Sequence, residues 1–61
     1  MLPKDPNMLL SFVNMKLRDE YPSLEELAAS LMADAGEIME KLSAAGYVYD
    51  AEGNRFVQKE G

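Results

Sequence analysis

Residues 23–46 read SLEELAASLMADAGEIMEKLSAAG, and this stretch predicts two short helices joined by a tight turn. Ser23 and Glu26 have the spacing of a capping box, in which two residues satisfy each other's backbone amides at a helix start. Asp34 predicts the start of the next helix, and Gly46 predicts its end, because glycine readily adopts the left-handed conformation that follows a helix. We expect these helices over about residues 24–32 and 35–45. The residues expected to face inward are Leu24, Leu27, Ala28, Leu31, Ala35, Ile38, Met39, Leu42 and Ala45.

A longer helix is predicted before these two, over about residues 6–20. Asp5 offers a side-chain oxygen as the cap, and Pro6 suits the first turn because its missing N–H would have no helical partner there. Pro22 ends the helix, since the residue before a proline is biased away from helical dihedral angles. The helix carries two apolar stripes and therefore needs contacts in two directions. The first stripe contains Leu9, Leu10, Val13 and Leu17, and the second contains Met8, Phe12 and Met15.

The periodicity changes after the third helix and predicts a β-hairpin. Two runs of residues that favour strands, YVY at 47–49 and RFV at 55–57, flank a short polar segment. We expect a three-residue loop with Gly53 in the left-handed conformation. In that register Val48 and Phe56 share one face of the hairpin. The opposite face would carry Tyr47, Tyr49, Arg55 and Val57.

These elements predict one small α+β domain over residues 1–61, mainly helical, with a three-helix core and a C-terminal hairpin over about residues 47–57. The two short helices and their turn have the order of a helix-turn-helix, and the hairpin follows them as a wing would. Ala28 is the small residue at which the two motif helices are expected to meet. Met32 departs from the motif, because its turn commonly carries glycine. The layout resembles a winged helix.

The chain also resembles a family of bacterial proteins of about this length that is classified only as a domain of unknown function. The resemblance rests on MLPKDPNMLLSFVNMKLRDEYPSLEELA at residues 1–28 and extends through GYVYDAEGNRFV at residues 46–57. It implies a bacterial, cytoplasmic protein. It supplies no catalytic or binding residues.

Composition excludes several classes of function. The 61 residues include no cysteine and no histidine, which rules out a disulfide, a Cys/His metal site, a thiolate nucleophile and an imidazole base. Asp34, Glu37 and Glu40 offer carboxylates along one helix side, but an enzyme built on them is the weakest hypothesis. We expect no enzyme activity, catalytic residue, cofactor or metal site. The lack of a signal-peptide pattern and of a membrane-length apolar run favours a cytoplasmic protein without a membrane partner.

Charge weakens the hypothesis of DNA binding. The chain has 11 acidic and 6 basic residues, for a formal net charge of −5. Residues 23–46 alone carry five acids and one base, whereas non-specific DNA affinity comes from cations that neutralise phosphates. A DNA-binding helix-turn-helix transcriptional regulator therefore stays as the alternative function. Its nucleic-acid face would include Lys41, Ser43 and Arg55.

The second apolar stripe supports a different function. Met8, Phe12 and Met15 are either covered by the hairpin within one core, or exposed as a patch that binds a partner. Tyr47 and Tyr49 would extend such a patch, since tyrosine suits interfaces that are partly wet. A chain this small without disulfides also gains stability by dimerising. We therefore favour a non-enzymatic protein–protein interaction module whose partner is another protein or a second copy of the chain in a homodimer.

Overall fold

A computed structural model describes residues 2–60 as three helices followed by a two-stranded antiparallel hairpin. This confirms the predicted α+β class, mainly helical, with the hairpin at the C-terminal end. No helix within residues 2–60 has both the length and the apolar character that crossing a membrane requires. The helices are α1 (Pro6–Asp19), α2 (Leu24–Ser30) and α3 (Ala35–Ala44), and the strands are β1 (Tyr47–Asp50) and β2 (Arg55–Gln58).

Each helix begins at the cap predicted for it. Asp5 Oδ2 and Ser23 Oγ each accept the backbone N–H three residues later, at 3.1 and 3.2 Å. Asp34 Oδ1 accepts the N–H two residues later at 3.0 Å. Gly46 has a φ of 99°, the left-handed conformation predicted for the residue that follows α3. A cap of this kind contributes about 1 kcal/mol, so local side-chain chemistry sets the three helix starts.

The turn between α2 and α3 ends α2 at Ser30, two residues earlier than expected. The Met32 N–H donates to the Ala29 carbonyl at 3.2 Å, and the Ala33 N–H donates to the Ala28 carbonyl at 2.8 Å. These two bonds are the pattern of a Schellman motif. Met32 has a φ of 56°, so a methionine occupies the left-handed position where glycine is usual. A non-glycine residue in this conformation costs roughly 1–2 kcal/mol.

The core lies where the three helices meet, and β2 adds one aromatic side chain to it. Most of the expected inward positions are buried or half-buried, but Met39 on α3 and Ala45, which follows the helix as its C-cap, are exposed. Met39 lines an open groove beside Tyr49, because β1 runs along this flank of α3 without covering it. The buried residues are Leu9, Val13, Leu17, Leu24, Leu27, Ala28, Ile38, Leu42 and Phe56.

The predicted hairpin register is wrong. Tyr49 lies opposite Phe56, and Val48 lies opposite Val57. Because side chains alternate between the two faces of a strand, Phe56 shares the inner face with Tyr47 and Tyr49. Val48 is therefore on the outer face, 41% exposed, instead of beside Phe56.

The predicted role of Gly53 is also wrong, because the left-handed residue of the turn is Asn54, with a φ of 52°. Asparagine tolerates this conformation better than most residues. Asn54 Nδ2 donates to the carbonyls of Leu17 at 3.2 Å and Tyr21 at 3.0 Å, and Oδ1 accepts from the Tyr49 hydroxyl at 2.6 Å. Gly53 instead provides space, since a Cβ there would lie 2.9 Å from a carboxylate oxygen at the end of β1.

Asn14 joins β2 to α1. Its Nδ2 donates to the Phe56 carbonyl at 3.1 Å, and its Oδ1 accepts from the Phe56 N–H at 2.7 Å. One side-chain amide thus satisfies both backbone groups of a strand residue, as a neighbouring strand would. The hairpin is therefore held with β2 against α1 and β1 against α3.

Replacement of Asn54 tests whether its side chain holds the turn to α1. Asn54→Gly keeps the left-handed conformation accessible but removes three hydrogen bonds, so we expect the free energy of unfolding to fall by about 1–3 kcal/mol. Asn54→Ala should lose about 1 kcal/mol more, because alanine disfavours a positive φ. Urea unfolding measures both, and Ala51→Gly in the same exposed turn controls for added chain entropy. An Asn54→Gly variant no less stable than this control would contradict the assignment.

The backbone of Met32 predicts a stabilising substitution. Met32→Gly should raise the free energy of unfolding by about 0.5–1 kcal/mol, because glycine adopts a positive φ without steric cost and this side chain is exposed. Met39→Gly is the matched control. It replaces an exposed methionine within a regular helix and should lose about 1 kcal/mol. Thermal unfolding compares the two variants, and a less stable Met32→Gly variant would refute the prediction.

Candidate functional site

The side of α1 that faces away from the core carries two exposed methionines. Met8 is 63% exposed and Met15 is 42% exposed. They are seven residues apart, which places them two turns apart on the same side of the helix. The hairpin leaves both uncovered, because β2 approaches α1 at Asn14 instead. We refer to Met8, Phe12 and Met15 as the α1 methionine surface.

Phe12 forms the border between this surface and the core, against which it packs half-buried. The Lys16 Nζ lies 5.7 Å from the centroid of the Phe12 ring and 2.6 Å from Glu20 Oε2. The hydrogen bond that Lys16 donates to Glu20 raises the pKa of the Lys16 ammonium. A neutralised ion pair and a cation–π contact therefore line this border of the surface.

On the other flank of α1, a groove of about 810 Å³ separates the helix from the hairpin turn. Met15 lines this α1–hairpin groove, which is therefore continuous with the α1 methionine surface. Asn14 and Asn54 also line it, but the oxygen and the nitrogen of each amide are already hydrogen-bonded. The other polar side chains in the lining are Ser11, Arg18 and Arg55.

The α1–hairpin groove has a positive lining on a negatively charged chain. Two arginines line it, and within the part of the chain that the structure describes its lining includes no carboxylate. Arg18 donates to both carboxylate oxygens of Asp19, at 2.9 and 3.0 Å, and these hydrogen bonds lower the pKa of Asp19. Arg55 forms no ion pair within residues 2–60. Asp50 lies opposite Arg55 on β1, and both side chains lie beside Gly53, so a carboxylate is near this guanidinium without being paired with it.

Tyr47 and Tyr49, predicted to extend the interface, lie elsewhere. Both are on β1, whose backbone lies along α3 and not along α1. Both are half-buried against the core. The Tyr49 hydroxyl accepts the Leu24 N–H at 3.3 Å and donates to Asn54, and its ring centroid lies 5.4 Å from that of Phe56. Tyr49 therefore joins α2 to the hairpin and does not contribute to the α1 methionine surface.

The three residues predicted for a nucleic-acid face are also dispersed. Lys41 is exposed on α3, where it shares a shallow depression with two glutamates. Ser43 is half-buried, and its carbonyl accepts from Lys59 Nζ at 2.7 Å. Arg55 is exposed on β2, whose backbone lies along α1 and not along α3. The structure therefore does not bring Lys41, Ser43 and Arg55 onto one surface.

The carboxylates considered for catalysis have local explanations. Asp34 caps α3, whereas Glu37 and Glu40 lie on its exposed side. The Asp50 carboxylate accepts the Glu52 N–H at 3.2 Å within the hairpin turn. Residues 2–60 contain no cluster of three or more acidic side chains arranged to hold a metal ion.

Two exposed methionines and the α1–hairpin groove were not predicted from the sequence. Met32 is 95% exposed and Met39 is 42% exposed, so all four methionines that the structure describes lie outside the buried core. For Met32 the sequence did give a signal of exposure, because this residue occupies a turn position where glycine is usual. For Met39 and the groove no local pattern gives a signal, because both depend on where the hairpin packs.

Comparison with known proteins identifies a family but no activity. Residues 3–56 match the family described as Domain of unknown function (DUF4250). Neither a curated protein nor a solved structure gives a significant match. The matched range includes the α1 methionine surface and the residues that line the α1–hairpin groove. It also confirms the resemblance to a small family without assigned function. The chain therefore belongs to the DUF4250 family, a domain of unknown function.

Proposed function

We propose that this chain is a non-enzymatic protein-binding module that acts through the α1 methionine surface, and that a second copy of the chain is one of its partners. The exposure of Met8 and Met15 carries the proposal. The opposite side of the same helix forms the core through Leu9, Val13 and Leu17, so these two side chains lie outside it. Exposed apolar residues grouped on one helix side are typical of an interaction site.

The energetics favour association through α1. Burying a methionine side chain contributes about 1.5–3 kcal/mol, and its flexible thioether adapts to an irregular partner surface. In a two-fold symmetric dimer the same residue is buried on both subunits, so this contribution is made twice. The charges nearby do not oppose this arrangement, because Lys16 is paired with Glu20 and Arg18 with Asp19. Two copies of α1 therefore meet without a net repulsion from these four groups.

Three further properties belong to the proposal. The order of the three helices and the hairpin supports a winged-helix relationship. The resemblance noted from the sequence supports a bacterial source, and the lack of cysteine agrees with a cytoplasmic location. We also propose that the chain catalyses no reaction, since it contains neither an imidazole nor a thiol.

DNA binding by a helix-turn-helix regulator is the second candidate. The Schellman turn between α2 and α3 supports it, because two helices joined by a tight turn are the basis of that motif. The charge of α3 weighs against it, since Glu37 and Glu40 flank Lys41 on the exposed side of the helix. We therefore rank protein binding first.

Self-association provides the test of the first candidate. Sedimentation should show a concentration-dependent dimer across the micromolar range, and the Met8→Gln/Met15→Gln double variant should shift it to monomer while remaining folded, because both side chains are exposed. Met39→Gln is the control, since it changes an equally exposed methionine on α3. A folded monomer at every concentration, or equal loss in the control, would contradict homodimerisation through α1.

The second candidate is tested by duplex DNA of random sequence at low salt. We expect no retardation by the chain alone, because the exposed side of α3 carries two acids and one base. Lys41→Gln should then have no effect on any residual binding. A complex whose affinity falls steeply with added salt would reverse the ranking of the two candidates.

A further inference from the structure

We propose that the α1–hairpin groove binds an acidic segment of a partner protein, with carboxylates at Arg18 and Arg55 and an apolar side chain against Leu10 and Met15. This inference rests on the proposed function, because it names the chemistry of a partner for the face of α1 next to its methionine surface. The occupant is a segment of another protein and not a second copy of this chain.

The first argument is the sign of the charge. The chain has a net charge of −5, which repels an acidic ligand at long range. The lining of this groove nevertheless includes two guanidinium groups and, within the described residues, no carboxylate. Asp19 pairs with Arg18 and Asp50 lies beside Arg55, so the groove offers two guanidinium donors and no large positive field. Such donors are complementary to a ligand whose charge is concentrated at one or two side chains.

The second argument concerns which hydrogen-bond donors in the groove remain available to a ligand. Asn14 and Asn54 use their amides to hold β2 and the turn against α1. They form fixed walls of the groove and leave its arginines and Ser11 as the donors for a ligand. Arg55 belongs to the strand that Asn14 holds, so its backbone position is set before any ligand arrives. A guanidinium presented from that backbone can bind a carboxylate through two parallel hydrogen bonds.

The two arginines are not equivalent. Arg18 already donates to both oxygens of Asp19, and a ligand must share that guanidinium or displace the pair. Such an exposed ion pair is worth about 0–1 kcal/mol, so this competition is modest. Arg55 forms no ion pair within residues 2–60, although Asp50 lies opposite it on β1. We therefore assign the larger share of carboxylate recognition to Arg55.

The apolar part of the lining defines the rest of the ligand. Leu10 is half-buried and Met15 is exposed, and both line the groove with Leu17 beneath them. The thioether of Met15 adjusts to side chains of different shape. A ligand with acidic and apolar residues close together in sequence satisfies both parts of the lining. A purely acidic tail would leave the apolar part uncovered.

Selection from a library of random short peptides displayed on phage tests the proposal with the intact folded chain as bait. Enriched peptides should combine Asp or Glu with a large apolar residue. Their affinity should fall with added salt, because the contacts are exposed. Arg55→Gln should weaken the affinity for a selected peptide about five- to tenfold. Arg55→Lys should weaken it about threefold, because lysine keeps the charge but loses the paired N–H donors of the guanidinium. Lys41→Gln, the control with the same change in net charge, should leave binding unchanged.

Three outcomes would overturn the inference. Enriched peptides without acidic residues, whose binding is lost in Met8→Gln but retained in Arg55→Gln, would leave protein binding through α1 in place and remove the acidic ligand. No enrichment together with a monomeric chain would remove both the inference and the proposed function. A dimer that dissociates in Arg55→Gln would assign the groove to a second copy. Circular dichroism of each variant establishes that the loss of binding is not a loss of fold.

Discussion

The pairing of Asn14 with Phe56 is the interaction on which the rest of the structure depends. A two-stranded hairpin is marginally stable in water, and the part of the chain that the structure describes adds no third strand to it. The N–H and carbonyl of Phe56 point away from β1, so they need partners where the ring of Phe56 enters the core. The Asn14 amide supplies both partners. Without it, two half-enclosed backbone groups would each cost about 1–3 kcal/mol.

The same attachment decides which side of α1 stays open. Asn14 lies on one flank of the helix, and Asn54 fixes the turn near the carboxyl end of α1 through Leu17 and Tyr21. The hairpin is therefore attached to α1 along the flank that carries Asn14. One consequence is the groove between α1 and the hairpin turn. The other is that Met8 and Met15, on the remaining side, are left without a cover.

The parts of the fold that could be predicted from the sequence are those encoded locally. Asp5, Ser23 and Asp34 cap their helices because each needs only a backbone N–H two or three residues away. The buried stripe of α1 also follows from periodicity, since Leu9, Val13 and Leu17 recur at helical spacing. Three-helix order and a C-terminal hairpin follow from these signals together.

What could not be predicted depends on contacts between residues distant in sequence. Asn14 and Phe56 are 42 positions apart, and Asn54 and Leu17 are 37 apart. Nothing in the neighbourhood of either asparagine indicates its partner, so the glycine beside Asn54 was the better local candidate for the left-handed residue. That one choice shifts the register, reverses the faces of Val48 and Tyr49, and removes Tyr49 from the predicted interface.

The candidate site was predicted in part for the same reason. The apolar excess of α1 is visible in the sequence. Of the two hypotheses for its second stripe, covered by the hairpin or exposed to a partner, the exposure of Met8 and Met15 agrees with the second. The α1–hairpin groove is not visible, because Arg18 and Arg55 come together only once the hairpin packs on α1. Two arginines beside one groove of an acidic chain are a consequence of how the elements pack, and composition alone does not indicate them.

The distribution of methionine supports a surface role for these side chains. The core uses Leu, Val, Ile, Ala and Phe, whose rotamers are well defined, and no methionine among the described residues is buried. Methionine fills irregular gaps well, so we would expect methionine in a small core that must be densely packed. Here Met8, Met15, Met32 and Met39 are all exposed, and Met32 is held there despite an unfavourable backbone conformation. Exposed apolar side chains reduce solubility and contribute little to folding. The pairing of Met8 and Met15 on one side of α1 is the part of this distribution that agrees with the proposed protein-binding role.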